Sequence, residues 1–191
     1  MTARHAETSA PIIEPIASRW SPRSFAGEHE LPEGALRGVF EAARWAPSAS
    51  NTQPWRFIIA RRGGAAFGQI EAALLGFNQQ WAGRAAALVV NVAQTVDEEG
   101  KALRWAEYDL GQAVASYSLQ ARAEGLYAHQ MGGFDADAIR AAFGLGNDQV
   151  PLSITALGAI ADPEQLPETL REREVAPRSR KALDDLILLN D

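Results

Sequence analysis

The spacing of apolar and polar residues predicts a chain of interleaved helices and strands. Apolar side chains recur either every three to four residues, as on one face of a helix, or in short continuous runs typical of buried strands. The predicted helices span residues 12–19, 32–46, 66–81, 98–124 and 136–143. The predicted strands span residues 55–60, 85–93, 126–131 and 152–160. From residue 162 onward the period disappears until a last apolar stretch at 183–189.

Local signals set the boundaries of several elements. Pro32 opens one helix, and Pro47 ends it because the residue before a proline is pushed out of the helical region. Thr95 and Glu98 have the spacing of a capping box ahead of the longest helix, and Gly125 is a typical stop. Small side chains surround the middle of that helix on nearly all sides, which favours a place in the core or at an interface.

Length and composition predict one domain over residues 1–191, with a flexible N-terminus at about 1–10 and an extended C-terminal arm at about 162–191. The absence of cysteine excludes disulfides, thiolate catalysis and cysteine-ligated metal sites, and three scattered histidines predict no metal site. No apolar stretch approaches the ~20 residues of a membrane span, and no signal-peptide pattern is visible. We therefore expect a cytoplasmic protein without a membrane partner, and its net charge of -6 argues against a nucleic-acid partner.

The common catalytic motifs are missing from the sequence. It contains neither of the two standard glycine-rich nucleotide loops and no nucleophile elbow or zinc-protease signature. If the protein is an enzyme, a bound cofactor is expected to carry the chemistry, and we nominate no catalytic side chain.

Two basic segments are candidate anion sites. In the first, Arg19 and Arg23 flank Ser21, and a guanidinium fork matches phosphate oxygens. The second is the run at residues 178–181. Each pattern is equally compatible with a solvated basic surface that only offsets nearby acidic residues.

Two further segments suit a planar ligand. The polar loop between Pro47 and Pro54 offers the donors and acceptors that the edge of a heteroaromatic ring requires, although a plain polar loop has the same composition. Gly132 and Gly133 follow a predicted strand, where their backbone can approach a ring closely. The alternative is an ordinary turn into the next helix, capped by Asp135.

Taken in order, these four segments resemble the FMN-dependent nitroreductase family over about residues 12–183. The family's R-x-S-x-R-x-F motif is matched by Arg19, Ser21, Arg23 and Phe25. Its P-S-x-x-N-x-Q-P-W-x-F motif is matched by Pro47, Ser48, Asn51, Gln53, Pro54, Trp55 and Phe57. The resemblance implies an α+β, three-layer fold with a central mixed, mostly antiparallel sheet flanked by helices. It also implies a homodimer with FMN at the subunit interface, the long helix in the dimer core, and a C-terminal extension wrapping the partner.

The resemblance assigns parts of FMN to these segments. Arg19, Ser21 and Arg23 are expected at the phosphate, ribityl chain and pyrimidine, with Arg178 and Arg180 closing on the phosphate. Pro47, Ser48, Ser50 and Asn51 are expected to come from the partner subunit. Asn78 is expected at the pyrimidine edge, and the backbone of 131–133 near the flavin N5. The implied cofactor-binding set is Arg19, Trp20, Ser21, Arg23, Pro47, Ser48, Ser50, Asn51, Gln53, Asn78, Gln130, Met131, Gly132, Gly133, Arg178 and Arg180.

The resemblance also implies an activity, in which NADPH or NADH reduces FMN and an electron-poor small molecule, such as a nitroaromatic or a quinone, is reduced in turn. Two positions depart from the family: Ala49 replaces a serine, and Trp81 stands where some relatives carry lysine. Trp81 is expected either to wall the ring or to belong to the core. The alternatives are a flavin-binding protein for storage or sensing, and an interaction protein whose arginines bind another phosphate ligand.

Overall fold

The computed structural model describes residues 4–190, which form six α-helices and a four-stranded sheet with helices on both faces. The helices are α1 (Glu14–Ser18), α2 (Glu33–Arg44), α3 (Ala65–Ala72), α4 (Ala106–Ala123), α5 (Ala136–Phe143) and α6 (Glu168–Val175). The strands are β1 (Trp55–Arg61), β2 (Ala87–Gln94), β3 (Tyr127–Met131) and β4 (Gln149–Gly158). This α+β arrangement confirms the predicted fold class.

The sheet has the strand order β1-β2-β4-β3, and each neighbouring pair runs antiparallel. The pairing within residues 4–190 is therefore antiparallel throughout, where the resemblance implied a mixed, mostly antiparallel sheet. At the centre of the sheet Ala87 pairs with Leu157, and the register shifts between Asn91 and Val92. A bulge of this kind bends the strand locally.

Two hydrophobic clusters lie on opposite faces of the sheet. On one face Leu88 and Val90 of β2 pack with α3 and α5, and on the other face the alanines Ala87 and Ala93 pack with α2 and α4. Because alanine side chains are small, α4 approaches the sheet closely along its buried side. The continuous apolar run in the sequence is thus a strand buried on both faces, as predicted.

The longest helix begins later than the sequence predicted. Residues 95–103 form a tight loop in which the Asp97 carboxylate accepts hydrogen bonds from the backbone N–H groups of Glu99 (3.1 Å) and Lys101 (2.8 Å), and Gly100 has a φ of 83°. This local side-chain turn replaces the capping box predicted at Thr95 and Glu98. Among residues 4–190 no helix combines the length and the hydropathy needed to cross a membrane.

Other element boundaries also differ from the prediction. The predicted helix at 66–81 ends at Ala72. Beyond it the Leu75 N–H donates to the Gly133 carbonyl instead of continuing the helix, and the chain turns at Gly76 (φ 59°). The C-terminal arm, in which the sequence predicted no regular element after residue 162, contains α6. In the segment predicted as a flexible N-terminus, the Ala6 N–H donates to the Ala17 carbonyl at 2.8 Å. Residues 1–3 and 191 of the predicted terminal segments lie outside the described residues.

A buried polar network joins the sheet to α4. The Tyr117 hydroxyl donates to Asn91 Oδ1 at 2.9 Å and lies 2.5 Å from Thr155 Oγ1, while Asn91 Nδ2 donates to Thr155 Oγ1 at 2.9 Å. All three side chains are buried, and burial raises the pKa of the Tyr117 hydroxyl above its usual value. The network satisfies polar groups that have no access to water.

We expect Tyr117→Phe to lower the free energy of unfolding by about 1–3 kcal/mol, because Asn91 Oδ1 is left buried without this donor. Urea unfolding of the purified protein measures the change. Tyr108→Phe removes the same hydroxyl from a side chain that is 66% exposed, and we expect it to leave the unfolding midpoint unchanged. Equal effects of the two substitutions contradict the prediction.

Candidate functional site

Three arginines from opposite ends of the chain border one cavity of about 1030 Å³. Arg19 directly follows α1, while Arg178 and Arg180 lie beyond the end of α6. The cavity is also lined by two carboxylates, Glu7 and Asp184. Within residues 4–190, however, none of the three guanidiniums has a carboxylate within 4.0 Å. The fold therefore brings together three of the predicted phosphate-binding residues without neutralising them.

Repulsion within this cluster favours a bound anion. Burial lowers the pKa of Arg19 below its usual value, and the positive charge of Arg180 lowers it further. Burial likewise lowers the pKa of Arg178, with contributions from Arg19, Arg180 and Arg4. An anion such as a phosphate relieves this repulsion and gains charge-assisted hydrogen bonds.

The three guanidiniums differ in how far the protein already occupies them. Arg178 Nη1 donates to the backbone carbonyls of Arg4 (2.5 Å) and Ala17 (2.8 Å), so part of this guanidinium holds the N-terminal segment. Among residues 4–190, the Arg19 guanidinium donates one hydrogen bond, to Ser21 Oγ at 3.2 Å, and the Arg180 guanidinium donates one, to the Ser179 carbonyl at 2.7 Å. Arg19 and Arg180 therefore keep most of their donors for a ligand.

Arg23 lies against the buried carboxylate of Glu174, a residue that the sequence did not single out. Glu174 of α6 is 2% exposed and accepts hydrogen bonds from the backbone N–H groups of Arg23 (2.9 Å) and Ser24 (3.1 Å). The Arg23 guanidinium lies 3.9 Å from Glu174 Oε2. Burial raises the pKa of Glu174, and these donors oppose the rise. Burial lowers the pKa of Arg23, and the Glu174 charge opposes that change. The only sequence signal was a position four residues after Leu170 on the same helical face.

The glycine pair and Asn78, which belong to the predicted cofactor-binding set, lie together in the fold. Both the Leu75 N–H (3.0 Å) and Asn78 Nδ2 (3.1 Å) donate to the Gly133 carbonyl. A Cβ on Gly133 would lie 3.0 Å from Asn78 Nδ2, whereas a Cβ on Gly132 would meet nothing within 4 Å. Met131 is buried at the end of β3. The backbone at Gly132 thus presents an open surface on which a planar group can lie.

Two other predicted cofactor residues are engaged with the protein. Gln130 Nε2 donates to Ser118 Oγ of α4 at 3.0 Å. The Trp20 ring lies edge-on to Tyr127, with centroids 6.2 Å apart, and the Arg4 guanidinium lies 4.4 Å from its centroid. The structure therefore gives both side chains a packing or hydrogen-bonding role.

The polar loop is held by α4. The buried Asp109 carboxylate accepts from the Ala49 N–H at 3.0 Å, and Gln112 Nε2 donates to the Pro47 carbonyl at 3.3 Å. Within the loop, Ser48 Oγ accepts from the Gln53 N–H at 3.1 Å. Among the described residues no hydrogen bond joins this loop to the arginine cluster.

The backbone of this loop is strained. Ser50, Asn51 and Gln53 adopt φ values of 51°, 56° and 48°, in the left-handed region that non-glycine residues rarely occupy. Such strain persists only where surrounding contacts fix it, and it is frequent at functional sites. Sequence reasoning missed Asp109, which supplies one of these contacts.

Trp81 belongs to the core, which settles the choice that the sequence left open. It is 1% exposed, stacks on Phe25 with centroids 6.0 Å apart, and lies 4.5 Å from the His129 ring. His129 Nδ1 lies 2.8 Å from the Pro22 carbonyl. Burial lowers the pKa of His129 to about 4, so the ring is neutral at pH 7. His129 thus holds the segment that carries the first arginines.

Comparisons with known proteins identify the family and the fold of the chain. A family described as the nitroreductase family matches residues 16–159. An uncharacterized 15.4 kDa protein of Mycolicibacterium smegmatis is 36% identical over 138 residues, which cover 69% of this chain and 92% of that protein. A protein of Thermus thermophilus named NADH dehydrogenase is 39% identical over 57 residues, 29% of this chain and 28% of its own length.

Solved structures show the same fold. A structure described as an oxidoreductase containing FMN superposes with a TM-score of 0.91 at 33% identity, over 98% of this chain and 96% of that chain. A structure from Desulfovibrio desulfuricans, described as a nitroreductase in complex with FMN, has a TM-score of 0.76 at 23% identity, over 96% of this chain and 99% of that chain.

Proposed function

The chain belongs to the nitroreductase family, and from this membership we propose that it is an FMN-dependent oxidoreductase. In this proposal it takes a hydride from NADH or NADPH and passes reducing equivalents to an electron-poor acceptor such as a nitroaromatic or a quinone. The observation that carries the proposal is the convergence of Arg19, Arg178 and Arg180 on one cavity without an ion-pair partner within 4.0 Å among residues 4–190. The FMN in the 33%-identical relative supports the choice of cofactor.

The residues present fit FMN at both of its ends. Arg19 and Arg180 hold the phosphate, and Arg178 ties the arm to the N-terminal segment. Asn78 and the open backbone at Gly132 receive the ring. Bound FMN supplies a ring that accepts and returns two electrons. The protein's own part is to bind and orient this ring, and the proposal needs no side chain as acid or base.

We also propose that the site is completed in a homodimer. The strained loop is fixed by α4, and among residues 4–190 no hydrogen bond joins it to the arginine cluster of its own chain, which suits a loop that serves the site of a second copy. The C-terminal arm ends in exposed apolar side chains, among them Leu186, Leu188 and Leu189, which are available to pack on a partner.

A visible spectrum followed by anaerobic titration tests the proposed function. We expect the purified protein to be yellow, to be bleached by NADH or NADPH, and to regain its colour when a quinone or a nitroaromatic is added. Flavin that is bound but never turned over contradicts the enzyme and favours storage or sensing. A protein that takes up no FMN contradicts both and favours an interaction protein that binds another phosphate ligand.

We expect Gly132→Leu to weaken FMN binding by on the order of tenfold, because the new side chain fills the space in which the ring lies. Since that space is open in the chain itself, we expect the unfolding free energy to stay within about 0.5 kcal/mol. Gly68→Leu is the matched control, since a Cβ at Gly68 also meets nothing within 4 Å and lies on α3. Unchanged FMN affinity in Gly132→Leu contradicts the placement of the ring.

A further inference from the structure

Glu174 connects the two segments that carry the arginine cluster. Its side chain is 1% exposed, and both carboxylate oxygens accept from the backbone N–H of Arg23, at 3.1 and 2.9 Å. Oε1 also accepts from the Ser24 N–H at 3.1 Å. Glu174 lies on α6, four residues before Arg178. One buried carboxylate thus connects α6 to the backbone of Arg23 and Ser24, shortly after Arg19 in the sequence.

The backbone around Glu174 is fixed from the other side as well. The Arg4 guanidinium donates to the carbonyls of Glu174 and Ala176, and Arg178 in turn donates to the Arg4 carbonyl. Ser24 Oγ donates to the Asp162 carbonyl at 2.6 Å. These hydrogen bonds form a connected network that links the first basic segment, through Glu174 and Arg4, to Arg178 in the second. The relative position of Arg19 and Arg180 depends on this network.

We propose that Glu174 is a positioning residue for the phosphate of FMN, which it does not touch. Its carboxylate holds residues 19–24 against the arm, so that the guanidiniums of Arg19 and Arg180 face the same ligand. This inference rests on the proposed function, because it takes the arginine cluster to be the phosphate site.

The sign of the effect separates positioning from simple electrostatics. The Glu174 carboxylate lies 3.9 Å from the Arg23 guanidinium, so removal of its negative charge by itself makes this basic region more positive and more attractive to an anion. A positioning role has the opposite consequence, because loss of the backbone contacts lets the two segments move apart. Weaker binding of a dianion after neutralisation of a carboxylate therefore indicates positioning.

The test compares FMN with riboflavin, which has the same ring but no phosphate. We expect Glu174→Gln to weaken FMN binding by about tenfold, as measured by flavin fluorescence titration of the apoprotein, and to leave riboflavin affinity within about twofold. Glu172→Gln changes an exposed carboxylate on the same helix, and we expect it to leave both affinities unchanged. Circular dichroism and urea unfolding of each apoprotein confirm that it is folded.

Three results overturn the proposal. The first is unchanged or tighter FMN binding by Glu174→Gln, and the second is an equal loss of FMN and riboflavin affinity, which indicates a general structural role. The third is a parent protein that binds FMN no more tightly than riboflavin. That result shows that the arginine cluster does not bind the phosphate of FMN, so it contradicts the proposed function and not only the role of Glu174. Glu174→Ala is expected to show a larger loss of FMN affinity, and if it does not fold, Glu174→Gln decides.

Discussion

Replacement of Arg19 or Arg180 by alanine is expected to weaken FMN binding by roughly 10- to 150-fold for each substitution. Each variant loses charge-assisted hydrogen bonds worth about 1.5–3 kcal/mol, and 1.4 kcal/mol corresponds to a factor of ten in affinity. The loss is large because both guanidiniums border the cavity and neither has a carboxylate within 4.0 Å among residues 4–190. The two carboxylates that line the cavity, Glu7 and Asp184, therefore form no ion pair with these guanidiniums that could replace the phosphate.

Fluorescence titration of the apoprotein with FMN measures this loss. Arg37→Ala is a matched control, because Arg37 is an exposed arginine on α2, away from the cavity. We also expect salt to weaken FMN binding less in the variants than in the parent, since fewer charges contribute. If both arginine variants hold FMN as tightly as the parent, the assignment of the phosphate to this cluster is wrong.

Acidification from pH 7 to pH 4 is expected to lower the free energy of unfolding by about 3 kcal/mol through His129 alone. Burial against the core lowers the pKa of His129 to about 4 in the folded protein, from 6.5 in an unfolded chain, and the charges of Arg23 and Arg19 lower it as well. Between these values the unfolded chain binds a proton that the folded protein does not. Stability is therefore complete above about pH 6.5 and is lost as the pH falls towards 4.

Urea unfolding of the parent and of His129→Asn at several pH values tests this assignment. Asparagine retains a donor for the Pro22 carbonyl but does not titrate, and it loses the contact with Trp81. We expect the variant to be less stable at pH 7 and to lose about 3 kcal/mol less than the parent on acidification. Parallel pH profiles of the two proteins show that another group is responsible.

The elements predicted well were those whose signals are local. The run that became β2 is buried on both faces, and the Asp135 side chain caps α5 by accepting from the Ala138 N–H at 2.9 Å. The α6 helix was missed because Leu170 and Glu174 are its only buried residues, and Glu174 is buried by contacts with Arg23, 151 positions away. A local pattern cannot show a partner so distant in sequence.

The same distinction applies to the candidate site, where some residues carry a local sequence signal and others are recognised only from contacts with distant parts of the chain. Residue type and spacing singled out the arginines and the glycine pair as candidates, and the family resemblance gave them their expected roles, which stay predictions. Asp109 was missed, although it lies on the buried face of α4 with Ala106 and Leu110, because a carboxylate under a loop is recognised only once the loop is in place. The identity of Trp81 as a core residue likewise needed its stacking on Phe25.

The strand order of the sheet also determines how the chain acquires its structure during synthesis. The central pair, β2 and β4, joins residues such as Ala87 and Leu157, which are far apart in the sequence. Until β4 has left the ribosome, β2 keeps an open edge, and an unpaired apolar edge is a template for aggregation. Contacts of such long range also slow folding. The nascent β1–β2 pair, with α3 in the connection between its strands, is therefore the segment most exposed to aggregation before β4 is made.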